Sequence, residues 1–148
     1  MICNAGMYKN PGLMRDTKMD DFIVTFNLNF FCPVVMTKEA LPHLEKTKGN
    51  IVYVSSILGK ATLALYIDPL HWVHACVTAN SPNGQGGLVS AYGASKAALN
   101  YFAKAVNRQE ASKGIRINIL SPGVVVTPIV TPFVSVQRTG KFEINEAL

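Results

Sequence analysis

The order of its elements constrains this chain more than any other feature. Two short β-branched runs, Gly49-Asn50-Ile51-Val52-Tyr53-Val54-Ser55 and Ile115-Arg116-Ile117-Asn118-Ile119-Leu120, each follow a long segment of helical character. Met1 to Gly6 reads as the end of another strand running into a turn. Strand, helix, strand, helix, strand is the order produced by right-handed crossovers, and it implies an α/β fold on a parallel sheet. Function in such sheets gathers beyond the carboxyl ends of the strands.

The first helix is expected to start at Thr17-Lys18-Met19-Asp20, with Thr17 as N-cap and acids in the first turn, and to run towards Leu44. Its stretch from Phe22 to Thr37 carries no charge but contains Asn27, Asn29 and Pro33. That stretch is short for a bilayer, so a buried helix and no membrane span are expected. The second helix, from about Tyr92 to Ala111, repeats Ala98, Phe102, Ala105 and Val106 at helical spacing and stops before Gly114. Between the helices, Ala61 to Gly87 shows no period and ends in Ser81-Pro82-Asn83-Gly84-Gln85-Gly86-Gly87, which is loop chemistry.

Composition narrows the partners. At 148 residues, with 49% apolar and 16% charged, the chain suits one folded domain with a real core. The net charge of +5 is spread in small knots such as Lys46/Lys48 and Lys113/Arg116, so no nucleic-acid partner is expected. Cys3, Cys32 and Cys76 are odd in number and lack C-x-x-C spacing, which fits a reducing, cytoplasmic setting without a disulfide framework. No signal-peptide pattern opens the chain. His71, His74 and Cys76 are too thin a ligand set for zinc, and no metal site is expected.

Three groups of residues carry chemistry. Tyr92 and Lys96 lie one helical turn apart, and a cation close to a phenol favours the phenolate, so the pair can give and take a proton. Taken alone, Tyr-x-x-x-Lys is short enough to recur by chance. Ser55 and Ser56 end the preceding strand, where a hydroxyl can hold a carbonyl oxygen or simply cap a turn. Asn29 precedes Pro33 by four residues, and proline has no N–H, so the Asn29 carbonyl loses its helical donor and is open to a water or ligand. An ordinary kink explains the same pattern.

Jointly these residues resemble the short-chain dehydrogenase/reductase family. The matches are Asn4-Ala5-Gly6 after a strand, Asn29, Ser56 closing Ile51-Val52-Tyr53-Val54-Ser55-Ser56, and Tyr92-x-x-x-Lys96 within Ala91-Tyr92-Gly93-Ala94-Ser95-Lys96-Ala97-Ala98-Leu99. Gly114-Ile115-Arg116-Ile117-Asn118-Ile119-Leu120-Ser121-Pro122-Gly123 follows, with Thr127 beyond it. The resemblance implies interconversion of a small-molecule alcohol and carbonyl with NAD or NADP. Tyr92 would be the acid/base, and Lys96 would lower its pKa and hold the nicotinamide ribose. Ser56 would orient the substrate oxygen, and the Asn29 carbonyl would seat a water. Asn4, Ala5, Gly6, Pro122, Gly123 and Thr127, with Tyr92 and Lys96, would line the cofactor cleft.

The chain departs from the family pattern in three ways. It lacks the N-terminal glycine-rich turn that holds the pyrophosphate, so cofactor binding is expected to be impaired, and Cys3 stands where the family usually has another Asn. The fold implied is a truncated Rossmann-like doubly wound parallel sheet, strands 4–6 of the family fold with their helices, as one partial domain over 1–148. Ser56 and Tyr92 are separated by 35 residues, much more than in the family, which marks an atypical insertion at about 63–86. Its apolar residues, Trp72 among them, are expected to pack beside Tyr92. The chain also stops at Leu148, before the family's lid and final strand are complete.

Two other functions are weighed. One is a catalytically inactive fragment that acts as an interaction or dimerisation piece, a homo-oligomer through the two long helices. The other, a serine hydrolase, lacks the G-x-S-x-G elbow.

Overall fold

The computed structural model describes residues 1–10, 14–60, 90–123, 134–136 and 142–144. Strands β1 (Ile2–Cys3), β2 (Asn50–Val54) and β3 (Arg116–Leu120) form a parallel sheet in the order β1-β2-β3, with Ile2 opposite Val52 and Val52 opposite Asn118. Helices α1 (Met19–Phe26) and α2 (Cys32–Thr47) fill the first crossover, and α3 (Ser90–Glu110) lies in the second. A separate antiparallel pair, β4 (Val134–Val136) and β5 (Phe142–Ile144), follows. The α/β reading with a truncated Rossmann-like sheet holds. The proposed insertion at 63–86 lies outside the described residues.

Alternation along the strands decides what is core. Cys3, Ile51 and Tyr53 point to one face and are buried with Leu99 and Ala103 of α3, while Phe30, Leu44, Phe102, Ile117 and Ile119 pack around them. Phe102 meets Phe30 and Tyr53 edge to face, at 6.0 and 6.2 Å between ring centres. The opposite face carries Ile2, 67% exposed, the half-buried Val52 and Val54, and Leu120, 56% exposed. Among the described residues, helices cover one face only.

Helices α1 and α2 are joined through Asn27–Phe31, a wide turn in which the Cys32 N–H reaches back five residues to the Asn27 carbonyl. Pro33, which cannot donate, follows directly, and the extra residue in the turn adapts the ladder to it. The run is therefore continuous from Met19 to Thr47, 29 residues. This corrects the expectation on length: by length and composition the run is long and apolar enough to cross a membrane. The expectation of a buried helix also needs correcting. Its buried positions are Thr25, Asn29, Pro33 and Thr37, four residues apart, whereas Phe31, Val35 and Met36 are exposed. The N-cap falls on Lys18 rather than Thr17. Lys18 is extended, and its carbonyl takes the N–H groups of Asp21 and Phe22.

In α3 the buried residues are Ala91, Ser95, Lys96, Leu99, Asn100, Ala103 and Val106; of the expected Ala98, Phe102, Ala105 and Val106, Val106 is among them and the other three are partly buried. Alanines surround the helix on several sides, so they do not mark a face, and Leu99 sets it. The helix closes through Ala111–Lys113 onto Gly114 at φ +80°, a left-handed conformation suited to glycine.

Among the described residues Tyr53 is the largest fully buried side chain, and its hydroxyl meets that of Thr37, which donates to the Pro33 carbonyl at 2.7 Å. Burial pushes the Tyr53 phenol from 10.0 up to about 12. A raised folded pKa contributes stability that is complete below the unfolded value near 10 and lost as pH rises towards 12. Tyr53→Phe leaves Thr37 bonded to Pro33 and is expected to cost about 1 kcal/mol at neutral pH. It should also flatten the loss of stability above pH 10. Urea unfolding of both proteins from neutrality into that range checks this, and an unchanged alkaline slope contradicts it.

Candidate active site

The parallel ladder continues past β2 and β3 as backbone contacts. Ser55 N–H donates to the Leu120 carbonyl at 2.7 Å, and Ile57 N–H to the Pro122 carbonyl at 3.0 Å. These bonds bring Ser56 and Pro122 to the same edge, at the carboxyl ends of the strands. Ser56 caps a single turn, Ile57–Gly59, by accepting the Leu58 N–H at 3.2 Å. The Ser56 hydroxyl is also a hydrogen-bond partner of the Tyr92 phenol and favours its charged form.

Helix α3 presents Tyr92 and Lys96 to this edge. Lys96 is 2% exposed, and its Nζ donates to the Val54 carbonyl at 2.9 Å and lies 5.6 Å from the centre of the Tyr92 ring. That carbonyl is available for a structural reason. Val52 and Val54 both face β1, but the β1–β2 ladder ends at Cys3–Tyr53. Burial pushes the Lys96 ammonium below its ordinary value. Burial also raises the Tyr92 phenol above 10.0, and Ser56 opposes that rise. Ser56 is thus a hydroxyl partner that favours the charged form of Tyr92, with the Lys96 ammonium standing over the face of the same ring.

Asn29 is fully buried and joins three segments. Its Oδ1 accepts the Met7 N–H at 2.8 Å, and its Nδ2 donates to the Met7 carbonyl at 2.8 Å and to Ser95 Oγ at 3.0 Å. Ser95 in turn donates to the Tyr92 carbonyl at 2.7 Å. Thr25 extends the same line by accepting the Lys9 N–H at 3.3 Å. The segment leaving β1 is thus fastened along α1 so that Gly6 faces Lys96. A Cβ on Gly6 would stand 3.2 Å from Lys96 Nζ and 3.4 Å from Asn29 Oδ1.

Of the residues singled out by sequence, Asn29, Ser56, Tyr92, Lys96 and Gly6 come together. Pro122 joins them through Ile57, and Gly123 has open space where a side chain would stand. Asn4 and Ala5 are exposed. Thr127 lies outside the described residues, as do His71, His74 and Cys76. Sequence reasoning gave Asn29 only its backbone carbonyl; the side chain's role was hidden, because a buried asparagine inside an apolar run looks the same whatever it bonds. It also passed over Ser95 and Tyr8, whose ring lies 6.0 Å from that of Tyr92. Among the described residues no three His, Cys, Asp or Glu side chains converge.

Comparison with known proteins gives a consistent set of likenesses. The family model described as short chain dehydrogenase matches residues 1–67 and 75–137, and its break falls inside 63–86. The L-fucose dehydrogenase of Bos taurus is 30% identical over 129 residues, 87% of this chain and 39% of that protein. The 11-beta-hydroxysteroid dehydrogenase-like 3 protein of Arabidopsis thaliana is 32% identical over 148 residues, 100% of this chain and 40% of that protein. A crystal structure of a short-chain dehydrogenase/reductase of unknown function from Caenorhabditis elegans, with cofactor, superposes with a TM-score of 0.68 at 28% identity, covering 88% of this chain and 41% of the other. The chain spans about two fifths of the length of these curated relatives.

Asn29→Ala removes both partners of the Met7 backbone and one of Ser95. Each buried group so orphaned is worth about 1–3 kcal/mol. Hydrogen exchange should show the Met7 amide losing protection while the β2 and β3 amides keep theirs. Equal loss everywhere would mean that Asn29 supports the whole fold rather than the β1 exit.

Proposed function

The chain belongs to the short-chain dehydrogenases, and from that membership we propose that it interconverts an alcohol and a carbonyl with NAD or NADP, Tyr92 giving and taking the proton. The convergence of Ser56, Tyr92 and Lys96 at the carboxyl end of β2 carries this reading. The relatives are named for L-fucose and a hydroxysteroid, and a small-molecule alcohol or carbonyl is the substrate class proposed here.

The residues present fit the nicotinamide end of such a cofactor. An ammonium has three donors and Lys96 uses one on Val54, leaving two for ribose hydroxyls. Gly6 keeps the approach to that ammonium clear, since a Cβ there would crowd it. Asn4, Ala5, Pro122, Gly123 and Thr127 are proposed to line the same cleft. When bound, NAD(P) supplies the carbon that gives or accepts hydride. Ser56 points its O–H at the reacting oxygen beside Tyr92, and Asn29 holds the β1 exit and the Tyr92 turn in register through Met7 and Ser95. Its carbonyl, denied a donor by Pro33, is the proposed seat of a water.

The outward apolar residues favour a second, compatible reading. Phe31, Val35, Met36 and Tyr101 are exposed on the two long helices, next to the Phe30–Phe102 contact. A second copy of the chain is proposed to cover them. Light scattering should report a dimer or larger, and Phe31→Lys should shift it towards monomer; a monomeric wild-type chain contradicts this.

The raised Tyr92 phenol sets the expected pH dependence. Protonated at neutral pH, it is ready to donate, so carbonyl reduction should run there and fall as pH rises through its pKa. Alcohol oxidation needs the phenolate and should rise over the same range. Tyr92→Phe should remove at least about two decades of turnover in both directions. NAD(P)H-linked assays on an alcohol and carbonyl panel, with this chain and any longer form that carries it, test the reading. Wild-type turnover in Tyr92→Phe would overturn it.

A further inference from the structure

Helix α3 meets the exit of β2 at three successive turns of one face. Tyr92 faces Ser56, Lys96 reaches the Val54 carbonyl, and Asn100 Nδ2 donates to the Gly59 carbonyl at 3.1 Å. The first two belong to the proposed reaction. The third has no part in it.

From this geometry we infer that Asn100 and Gly59 form a clamp that positions Ser56 against Tyr92; the inference rests on the proposed reading of that pair. Ser56 stands on one short turn, closed by Gly59 N–H to the Ser56 carbonyl at 3.0 Å, Lys60 N–H to the Ile57 carbonyl at 2.9 Å and Leu58 N–H to Ser56 Oγ at 3.2 Å, and tied to the β3 exit by Ile57 N–H to the Pro122 carbonyl at 3.0 Å. Such a turn does not hold its own distance from a neighbouring helix. Gly59 does so by lying directly on α3. A Cβ there would stand 2.7 Å from the Lys96 carbonyl carbon, 2.8 Å from its oxygen and 2.9 Å from Asn100 Nδ2. Helix backbone cannot yield to such contacts, so only glycine permits this approach. Asn100 then pins the turn by its carbonyl, while Ser55 Oγ adds a 3.4 Å contact to the Lys96 carbonyl from the other side.

The chemistry of Asn100 supports a positioning role over simple packing. It is 6% exposed, and its Oδ1 is buried without a partner among the described residues. An apolar side chain would fill the position without stranding an acceptor. What an apolar residue cannot supply is the donor for Gly59. The amide orientation follows, because the opposite one would set two oxygens against each other.

The test reads the Tyr92 phenol directly in the 148-residue chain. Carbon-13 labelled tyrosine is titrated by NMR, with Tyr92 assigned through Tyr92→Phe. Tyr8 and Lys96 are the other groups beside Tyr92, and both stay intact. Ser56→Ala removes the hydroxyl that opposes the rise, so Tyr92 should titrate higher. Asn100→Ala and Gly59→Ala should each move Tyr92 in the same direction and add nothing in the Ser56→Ala background. A shift with Ser56→Ala, but wild-type titration in both clamp variants, overturns the clamp and leaves the Ser56–Tyr92 reading standing. No shift with Ser56→Ala overturns both. Should Gly59→Ala fail to fold, Asn100→Ala decides alone, since alanine preserves the helix.

Discussion

A lysine ammonium buried at the end of a β-strand is the constraint around which the rest of this structure is arranged. Taking such a charge out of water costs several kcal/mol unless it finds partners. Lys96 has the Val54 carbonyl at 2.9 Å and the face of Tyr92 at 5.6 Å, a cation–π contact worth about 0.5–2 kcal/mol. The first partner exists because β1 stops early, the second because Tyr92 precedes Lys96 by one helical turn. The β1 ladder with β2 ends at Cys3–Tyr53, so the next carbonyl facing that side is left for a side chain. Gly6 then suits this place, because a Cβ there would stand 3.2 Å from Lys96 Nζ and crowd it.

The long first crossover obeys the same demand. A helix on a sheet usually buries its apolar stripe, but this one buries Thr25, Asn29, Pro33 and Thr37. Each polar member has backbone or hydroxyl work to do. Thr25 and Asn29 hold the segment after β1, and Thr37 meets the Tyr53 hydroxyl behind the sheet. The polar stripe leaves apolar side chains on the outside, where Phe31 and Val35 stand exposed. One sequence run thus both fixes the site and presents an apolar surface.

How much of this could be read in advance differs by residue. The β-branched runs and the helix before each revealed the parallel sheet, because strand and helix periods are local properties. Tyr92 and Lys96 were legible for the same reason: one helical turn separates them. The Ser56 hydroxyl was placed correctly as a strand-end group. What distant segments do to each other was not legible. Asn29 meets Met7 and Ser95 across 22 and 66 positions, and nothing in its neighbourhood names those partners. The buried face of α3 was misjudged where alanines blur the pattern. The reach of Lys96 to the Val54 carbonyl was not legible either, because it depends on where β1 ends.

The central claim is that Lys96 is a buried ammonium held between the Val54 carbonyl and the face of Tyr92. Nitrogen-15 NMR of the Lys96 ammonium tests it most directly. The account predicts that Lys96 titrates below an ordinary lysine and that its resonance responds to Tyr92→Phe. A Lys96 that titrates like a solvent-exposed lysine and is indifferent to Tyr92→Phe would contradict it.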